Sequence, residues 1–289
     1  MRLTTRAAIL FMLPAFVLYA TFIVFPTLRG IGLSFTDAQG VVGGNFVGLD
    51  NYVRLFGDPA VLSALLNTLV FAVIVTVGQN VLALALAYWL QSLPRLQAIA
   101  RAGILLPSMM AFIAVGFVWN FIYSPIDGPL DSVMNAVGLR GLEHIWLGDP
   151  TTALTAVAVT NIWMYMGYSA TIYLAGYFAI PENIMEAAKI DGATGWARFR
   201  TVDWPLLAPA LTINVTLTTI GSLRVFDPIL VMTGGGPGNA TQSLSYLVYT
   251  NTTQFQFGYA TAIAVVLLVL TVIVAITQTT IFRRREIEW

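Results

Sequence analysis

"PAVLSALLNTLVFAVIVTVGQNVLALALAYWLQSLP", residues 59–94, runs for 36 positions without Asp, Glu, Lys or Arg. A charged side chain at the bilayer centre costs about 2.5 to 3.5 kcal/mol even on the lenient insertion scale, so charge-free runs of this length mark hydrocarbon-crossing segments. Outward from that stretch the pattern repeats. There are 22 uncharged residues between Arg6 and Arg29, 25 between Arg101 and Asp127, and 32 between Asp149 and Glu182. A fifth stretch begins after Asp203 and reaches about Met232, with Arg224 and Asp227 inside it. The uncharged run from Pro228 to Phe282 is too long for one helix, and the polar "TGGGPGNATQS" (233–243) and "TNTTQFQFG" (250–258) divide it.

Composition agrees: 57% of the 289 residues are hydrophobic and 10% charged, against about 25% charged in soluble domains, and the mean hydropathy is +0.79. The expectation is an all-α polytopic membrane protein, one domain over 1–289. Its six transmembrane helices are expected near 7–28, 64–90, 102–123, 152–178, 206–232 and 259–282. The absence of Cys excludes disulfides and thiolate chemistry, and a net charge of zero argues against nucleic-acid binding.

Six spans put both termini on one side, and basic residues choose it. Arg2, Arg6, Arg95, Arg101, Lys189, Arg198, Arg200, Arg283, Arg284 and Arg285 fall on one side, against Arg29, Arg54 and Arg140 on the other. Both termini are therefore expected in the cytoplasm. Cleavage of the first span as a signal peptide is disfavoured, because its 22 uncharged residues exceed an ordinary signal core and its removal would scatter the basic loops over both sides.

This topology places the polar interlude 181–205 in the cytoplasm, between spans four and five. "PENIMEAAKI" opens with Pro181 at a helix start, "DGA" interrupts, and "TGWARFRTV" resumes helical character before Pro205. Spacing puts Met185, Ala188 and Ile184 on one face. Composition alone reads this segment as a surface-lying connector.

The string "EAAKIDGATGWARFRTVDWP" (186–205) resembles the EAA loop of membrane subunits of bacterial and archaeal ABC importers, at Glu186, Ala187, Ala188, Asp191, Gly192, Ala193, Val202 and Pro205. The resemblance extends over nearly the whole chain through "GLDNYVRLF" (48–56), "NTLVFAV" (67–73), "LLP" (105–107) and "VFDPILVMTGGGPGNATQSLSYLVY" (225–249). These point to the carbohydrate branch, similar to maltose and glycerol-phosphate permeases. The resemblance implies a permease subunit in the cytoplasmic (inner) membrane, with a second homologous permease, two ATPase subunits and an extracytoplasmic solute-binding protein as partners. It further implies that the loop forms a coupling helix docking on an ATPase through Glu186, Ala187, Ala188, Asp191 and Gly192. This chain then needs no cofactor of its own, because ATP and Mg are bound by the ATPase subunits.

A sugar site requires aromatic plates and a few hydrogen-bonding groups in a wet cavity. "NIWMYMGY" (161–168) supplies them, with Asn161, Tyr165 and Tyr168 on one helical face and Trp163 turned away. By resemblance to maltose-type permeases the solute contacts fall at Asn161, Met164, Tyr165 and Tyr168, at Ser108 and Phe112 after "LLP", and at Gly221, Ser222 and Val225. Smaller or apolar residues replace the aromatic and amide groups of the maltose pattern in the last two segments. Arg224 and Asp227, three apart on one expected helix, read as an internal ion pair or as cavity-lining groups.

"TGGGPG" lacks the Lys-Ser/Thr of a phosphate loop and falls outside the cell, where it reads as a turn. There is no GxxxxGK[ST] and no HExxH, and the only His, His144, stands in an outside loop. No catalytic constellation is present, so the chain is not expected to be an enzyme. The alternative substrate class is a glycerol phosphate or phosphodiester. The alternative of another class is a self-sufficient secondary transporter using Arg224 and Asp227, and an integral-membrane enzyme ranks third.

Overall fold

The computed structural model describes residues 5–40, 43–92, 96–126, 128–139 and 144–284. Arg2, Arg95, Arg140 and Arg285, used in the charge count above, lie outside them. The first helical stretch comprises α1 (Thr5–Tyr19), a π-turn over Ala20–Val24, and α2 (Phe25–Leu33). After a short helix α3 (Asp50–Gly57) comes α4 (Pro59–Gln91), then α5 (Gln97–Leu105), α6 (Phe112–Ile122) and α7 (Pro129–Ala136). The second half holds α8 (Ala153–Ala179), α9 (Glu182–Ile190), α10 (Gly195–Arg198), α11 (Trp204–Leu206), α12 (Ala208–Leu223), α13 (Asp227–Met232), α14 (Leu244–Thr253) and α15 (Phe257–Arg283). An isolated antiparallel bridge joins Thr36 to Phe46. The all-α expectation holds.

Among the described residues three helices are long and apolar enough to cross a membrane: Phe11–Leu33, Pro59–Gln91 and Phe257–Arg283. Two bent pairs bring the number to five if each counts as one span. The first, Gln97–Met109 with Phe112–Ile122, turns by 95°, and the second, Gly195–Leu206 with Ala208–Leu223, by 71°. The stretch expected at 102–123 is therefore not a straight helix; in that expected at 206–232 the 71° bend falls at its first residues, beside Leu207, and a separate break follows Leu223. Pro107 begins a 3₁₀ turn in the first. In the second, α12 stops at Leu223 and Pro228 at the start of α13 fixes a new helix onset. The 27-residue α8 is long enough to span but does not pass on apolarity. Fourteen of its residues are buried, among them Thr160 and Ser169, so protein rather than lipid solvates its polar groups.

The chain forms two compact units, one taking in residues up to Val61 with Leu247–Leu268, the other Leu62–Tyr246 with the residues from Val269 onward. In the smaller unit the Asn51 amide donates to the carbonyls of Ser34 and Thr36 at 2.9 and 2.8 Å. Tyr52 and Ser34 hydroxyls meet at 2.7 Å. The Arg54 guanidinium lies 4.0 Å from the Tyr259 ring centroid, and the Tyr259 hydroxyl donates to Asp58 at 2.9 Å. These contacts pin α3 to the start of α15.

In the larger unit one apolar cluster gathers Phe71, Val75, Phe112, Val157, Met164 and Ile229, and another Leu90, Tyr173, Leu174, Tyr177 and Leu207. Helix α6 packs on α13, and α8 on both α5 and α12. Small residues permit this closeness, as in membrane bundles generally. A Cβ built at Gly167 would lie 1.8 Å from the Ile104 carbonyl oxygen, an atom that no rotamer change can move. His144, read from sequence as an isolated residue, instead pairs with Asp149 at 3.0 Å. Asp149 also accepts from the backbone N–H and hydroxyl of Thr151, which hold its carboxyl below the usual range.

Gly167→Leu should therefore separate α8 from α5. The expected result is loss of the folded monodisperse species in detergent gel filtration, while a leucine at open Gly221 leaves that species in place.

Candidate functional site

Helix α8 carries the polar signature of the site, and its neighbours complete it. A cavity of about 260 Å³ opens within the larger unit. From α8 it receives Asn161, Tyr165, Tyr168 and Ser169; from α12, Asn214, Thr218, Gly221 and Ser222; from α4, Val75 and Gln79. Phe112, at the first residue of α6, closes one side. Arg224, Val225, Phe226 and Asp227 come from the break between α12 and α13. Asn161, Tyr165 and Tyr168 line it together because residues separated by four and seven positions nearly superpose on a helix.

Two residues assigned by resemblance lie elsewhere. Met164 is 1% exposed and packs in the apolar cluster with Phe71 and Val75. At about 100° per residue it stands about 60° around from Asn161, on the side away from Tyr165 and Ser169. Ser108 sits in the 3₁₀ turn before α6 and donates to the Leu105 carbonyl at 2.7 Å. Trp163 faces away as expected, edge-on to Trp119 at 5.4 Å.

The expected ion pair between Arg224 and Asp227 is not formed, whereas Arg198 does pair with Asp203. The reason is the break itself: Arg224 caps α12 and Asp227 starts α13, so helical i, i+3 geometry does not apply between them. Both line the cavity.

Sequence reasoning missed one wall of the cavity, that built by α4 with α8 and α12. The Gln79 amide donates to Ser169 Oγ at 2.7 Å. Below it, Asn80 Oδ1 accepts from the Tyr173 hydroxyl at 2.6 Å and from Asn214 Nδ2 at 2.8 Å, and Asn80 Nδ2 donates to the Thr76 carbonyl at 2.7 Å. The adjacent Gln79-Asn80 pair inside the 36-residue charge-free run was the available signal, since amides are rare there unless partnered.

The loop 181–205 is a helix, a turn and a second helical stretch. Ala188 is buried, with Ile184 and Met185 half-buried against the second apolar cluster. Glu186 and Ala187 are exposed, and Ile190 is 86% exposed. The α9 C-terminus closes as a Schellman motif. The Gly192 N–H donates to the Lys189 carbonyl at 3.1 Å and the Ala193 N–H to the Ala188 carbonyl at 2.9 Å, with Gly192 at φ +75°. Only glycine adopts that conformation freely, which accounts for Asp191-Gly192 at this point. Farther on, Arg198 Nε lies 3.3 Å from both oxygens of Asp203, whose side chain is fully buried. Phe199 stacks with Trp196 and meets Tyr88 of α4 edge-on at 5.6 Å.

The profile of the "binding-protein-dependent transport system inner membrane component" family matches residues 79–287. A probable ABC transporter permease of Pyrococcus horikoshii is 36% identical over 246 residues, covering 84% of each chain. A probable starch degradation products transport permease of Thermoanaerobacterium thermosulfurigenes is 31% identical over 282 residues, 96% of this chain and 94% of the relative. The lactose transport permease of Rhizobium radiobacter is 35% identical over 250 residues, 85% and 83%. A bacterial ABC transporter involved in the import of alginate shares the fold, with a TM-score of 0.83 at 21% identity over 96% of both chains. With cavity, loop and matched length in agreement, the chain belongs to the inner-membrane component family of binding-protein-dependent transport systems, and is a transporter permease.

Proposed function

We propose that this chain forms half of the translocation pathway of an ATP-driven ABC importer for a disaccharide or oligosaccharide, working by alternating access. The observation that carries the reading is the cavity: tyrosines from α8 beside amides and hydroxyls from three helices, a lining suited to apolar sugar faces and their hydroxyl rims. Relatives named for starch products, lactose and trehalose/maltose support the substrate class. At about 260 Å³ the cavity falls just under the roughly 300–1,000 Å³ of complete small-molecule sites. A second homologous permease would supply the facing wall. Arg224 and Asp227 both line it, so their charges offset and a neutral sugar is favoured over a phosphodiester.

The remaining assembly follows from the loop. Six spans over 1–289 leave both termini and the 181–205 loop in the cytoplasm, where two ATPase subunits would bind ATP and Mg. On their closure, α9 is pushed through the exposed Glu186 face, while its buried face and the Gly192 turn pass the displacement to the bundle as a rigid body. The loaded binding protein would deliver solute from outside; its partner role is in keeping with an alginate importer solved with a pentasaccharide-bound periplasmic protein.

Reconstituted with the second permease and both ATPases, the complex is expected to hydrolyse ATP faster when a sugar-loaded binding protein is added. Solute uptake by this chain alone would overturn the reading. Glu186→Lys should lower stimulated ATPase and uptake at least tenfold with the bundle intact, as reversal of a docking charge requires; retained coupling would remove Glu186 from the interface. Arg224→Ala and Asp227→Ala, assembled normally, should each reduce uptake about tenfold if they hydrogen-bond solute, and unchanged uptake assigns them to structure.

A further inference from the structure

Asn214 carries an acceptor that the protein leaves unused. The residue is 1% exposed and borders the cavity, and its Oδ1, covered from water in this conformation, has no hydrogen-bond partner. An unsatisfied buried amide oxygen costs about 1 to 3 kcal/mol, and such atoms are uncommon enough in folded proteins to require an account.

The orientation of that amide is fixed from behind. Asn80 Nδ2 donates to the Thr76 carbonyl and its Oδ1 accepts from the Tyr173 hydroxyl, which sets the Asn80 amide. Turning it over would bring Oδ1 against the Thr76 carbonyl. With Asn80 Oδ1 so placed, Asn214 must present its N–H to it, as it does at 2.8 Å. Turning Asn214 over would oppose two amide oxygens. The arrangement therefore leaves Oδ1, never Nδ2, as the free atom of Asn214. Tyr173 is wholly buried and Asn80 is 8% exposed, so water does not compete for these bonds.

We infer that Asn214 is a specificity-determining acceptor at the α4–α12 end of the cavity, taking a hydroxyl hydrogen of the solute as solute binding uncovers its Oδ1, and that Asn80 is its positioning residue. The inference rests on the sugar-importer reading and deepens it. Gln79 and Ser169 border the same wall, with the Gln79 amide already spent on Ser169 Oγ. That wall thus offers the solute acceptor oxygen rather than amide N–H. A site built to receive a hydroxyl rejects analogues lacking it, because the unpaired partner stays buried.

The test uses the whole importer in proteoliposomes, with maltose, lactose and trehalose as the first probes and monofluorodeoxy analogues of whichever is taken up. Fluorine keeps the size and removes the hydrogen. For the wild type, one fluorinated position should lower uptake efficiency about tenfold or more relative to its parent. In Asn214→Leu, where Asn80 Oδ1 keeps the Tyr173 hydroxyl, the parent sugar should fall to the level of that analogue and the ratio between them should approach one. Asn80→Ala should reduce the same ratio while leaving uptake of analogues fluorinated elsewhere in their wild-type order, a change that loosened packing would not produce. Asn214→Thr, smaller and still an acceptor, should retain part of the ratio and serves if the leucine variant fails to assemble. Equal loss across all analogues in the variants would overturn the assignment of Asn214 while leaving the importer in place. Failure of the wild-type importer to take up any of the sugars would overturn the substrate reading, and this inference with it.

Discussion

A backbone carbonyl freed by a helix break has to find a donor, because hydrocarbon supplies none. Here the break between α12 and α13 is resolved by one buried side chain: Ser243, fully enclosed, donates its hydroxyl to the Val225 carbonyl at 2.8 Å. The same hydroxyl oxygen accepts the N–H of Tyr246 at the start of α14. A single serine from the segment after the glycine-rich turn thus holds open the irregular stretch that brings Arg224, Val225 and Asp227 to the cavity. Pro228, which has no N–H to give the Arg224 carbonyl, keeps a straight helix from running through the break, and the serine bond satisfies the neighbouring carbonyl that the break leaves free.

The glycine-rich turn serves this arrangement in turn. The Thr233 and Thr241 hydroxyls meet at 2.7 Å, and Tyr246 donates to the Gly234 carbonyl at 2.6 Å. Ser243 lies two residues beyond Thr241, so a turn stitched at both ends delivers it in register. What reads in sequence as a surface loop with no chemistry is the frame that sets one wall of the cavity.

Helical class, membrane character and the polar face of α8 were legible because each rests on local periodicity or on the cost of charge in lipid. The α9 turn was legible too, since Asp191-Gly192 announces its own geometry. Two kinds of feature were not. Hydropathy could not show that 102–123 and 206–232 bend, because the bends exchange backbone bonds without changing composition; Pro228 was the clue, and its place beside a charged residue hid it. Nor could it show partnership at a distance. Asp203 carries no part of the loop resemblance, yet it is fully buried against Arg198, and Asn80, Tyr173 and Asn214 meet only after three helices have assembled. Met164 was misplaced for a related reason: resemblance transfers a position in sequence, and a rotation of 60° about the helix decides whether that position meets solvent or core.

Helix α8 has a consequence for how the chain is made. The polar groups along α8 leave it less apolar than α4 and α15, both of which are apolar enough to cross a membrane. Two of its polar side chains find their partners on α4, Ser169 in Gln79 and Tyr173 in Asn80, and α12 joins the same network through Asn214, which donates to Asn80. One of these helices precedes it in synthesis and the other follows. The partners of Ser169 and Tyr173 thus stand on the helix made before α8, and the network closes only when Asn214 of α12, made after it, reaches Asn80.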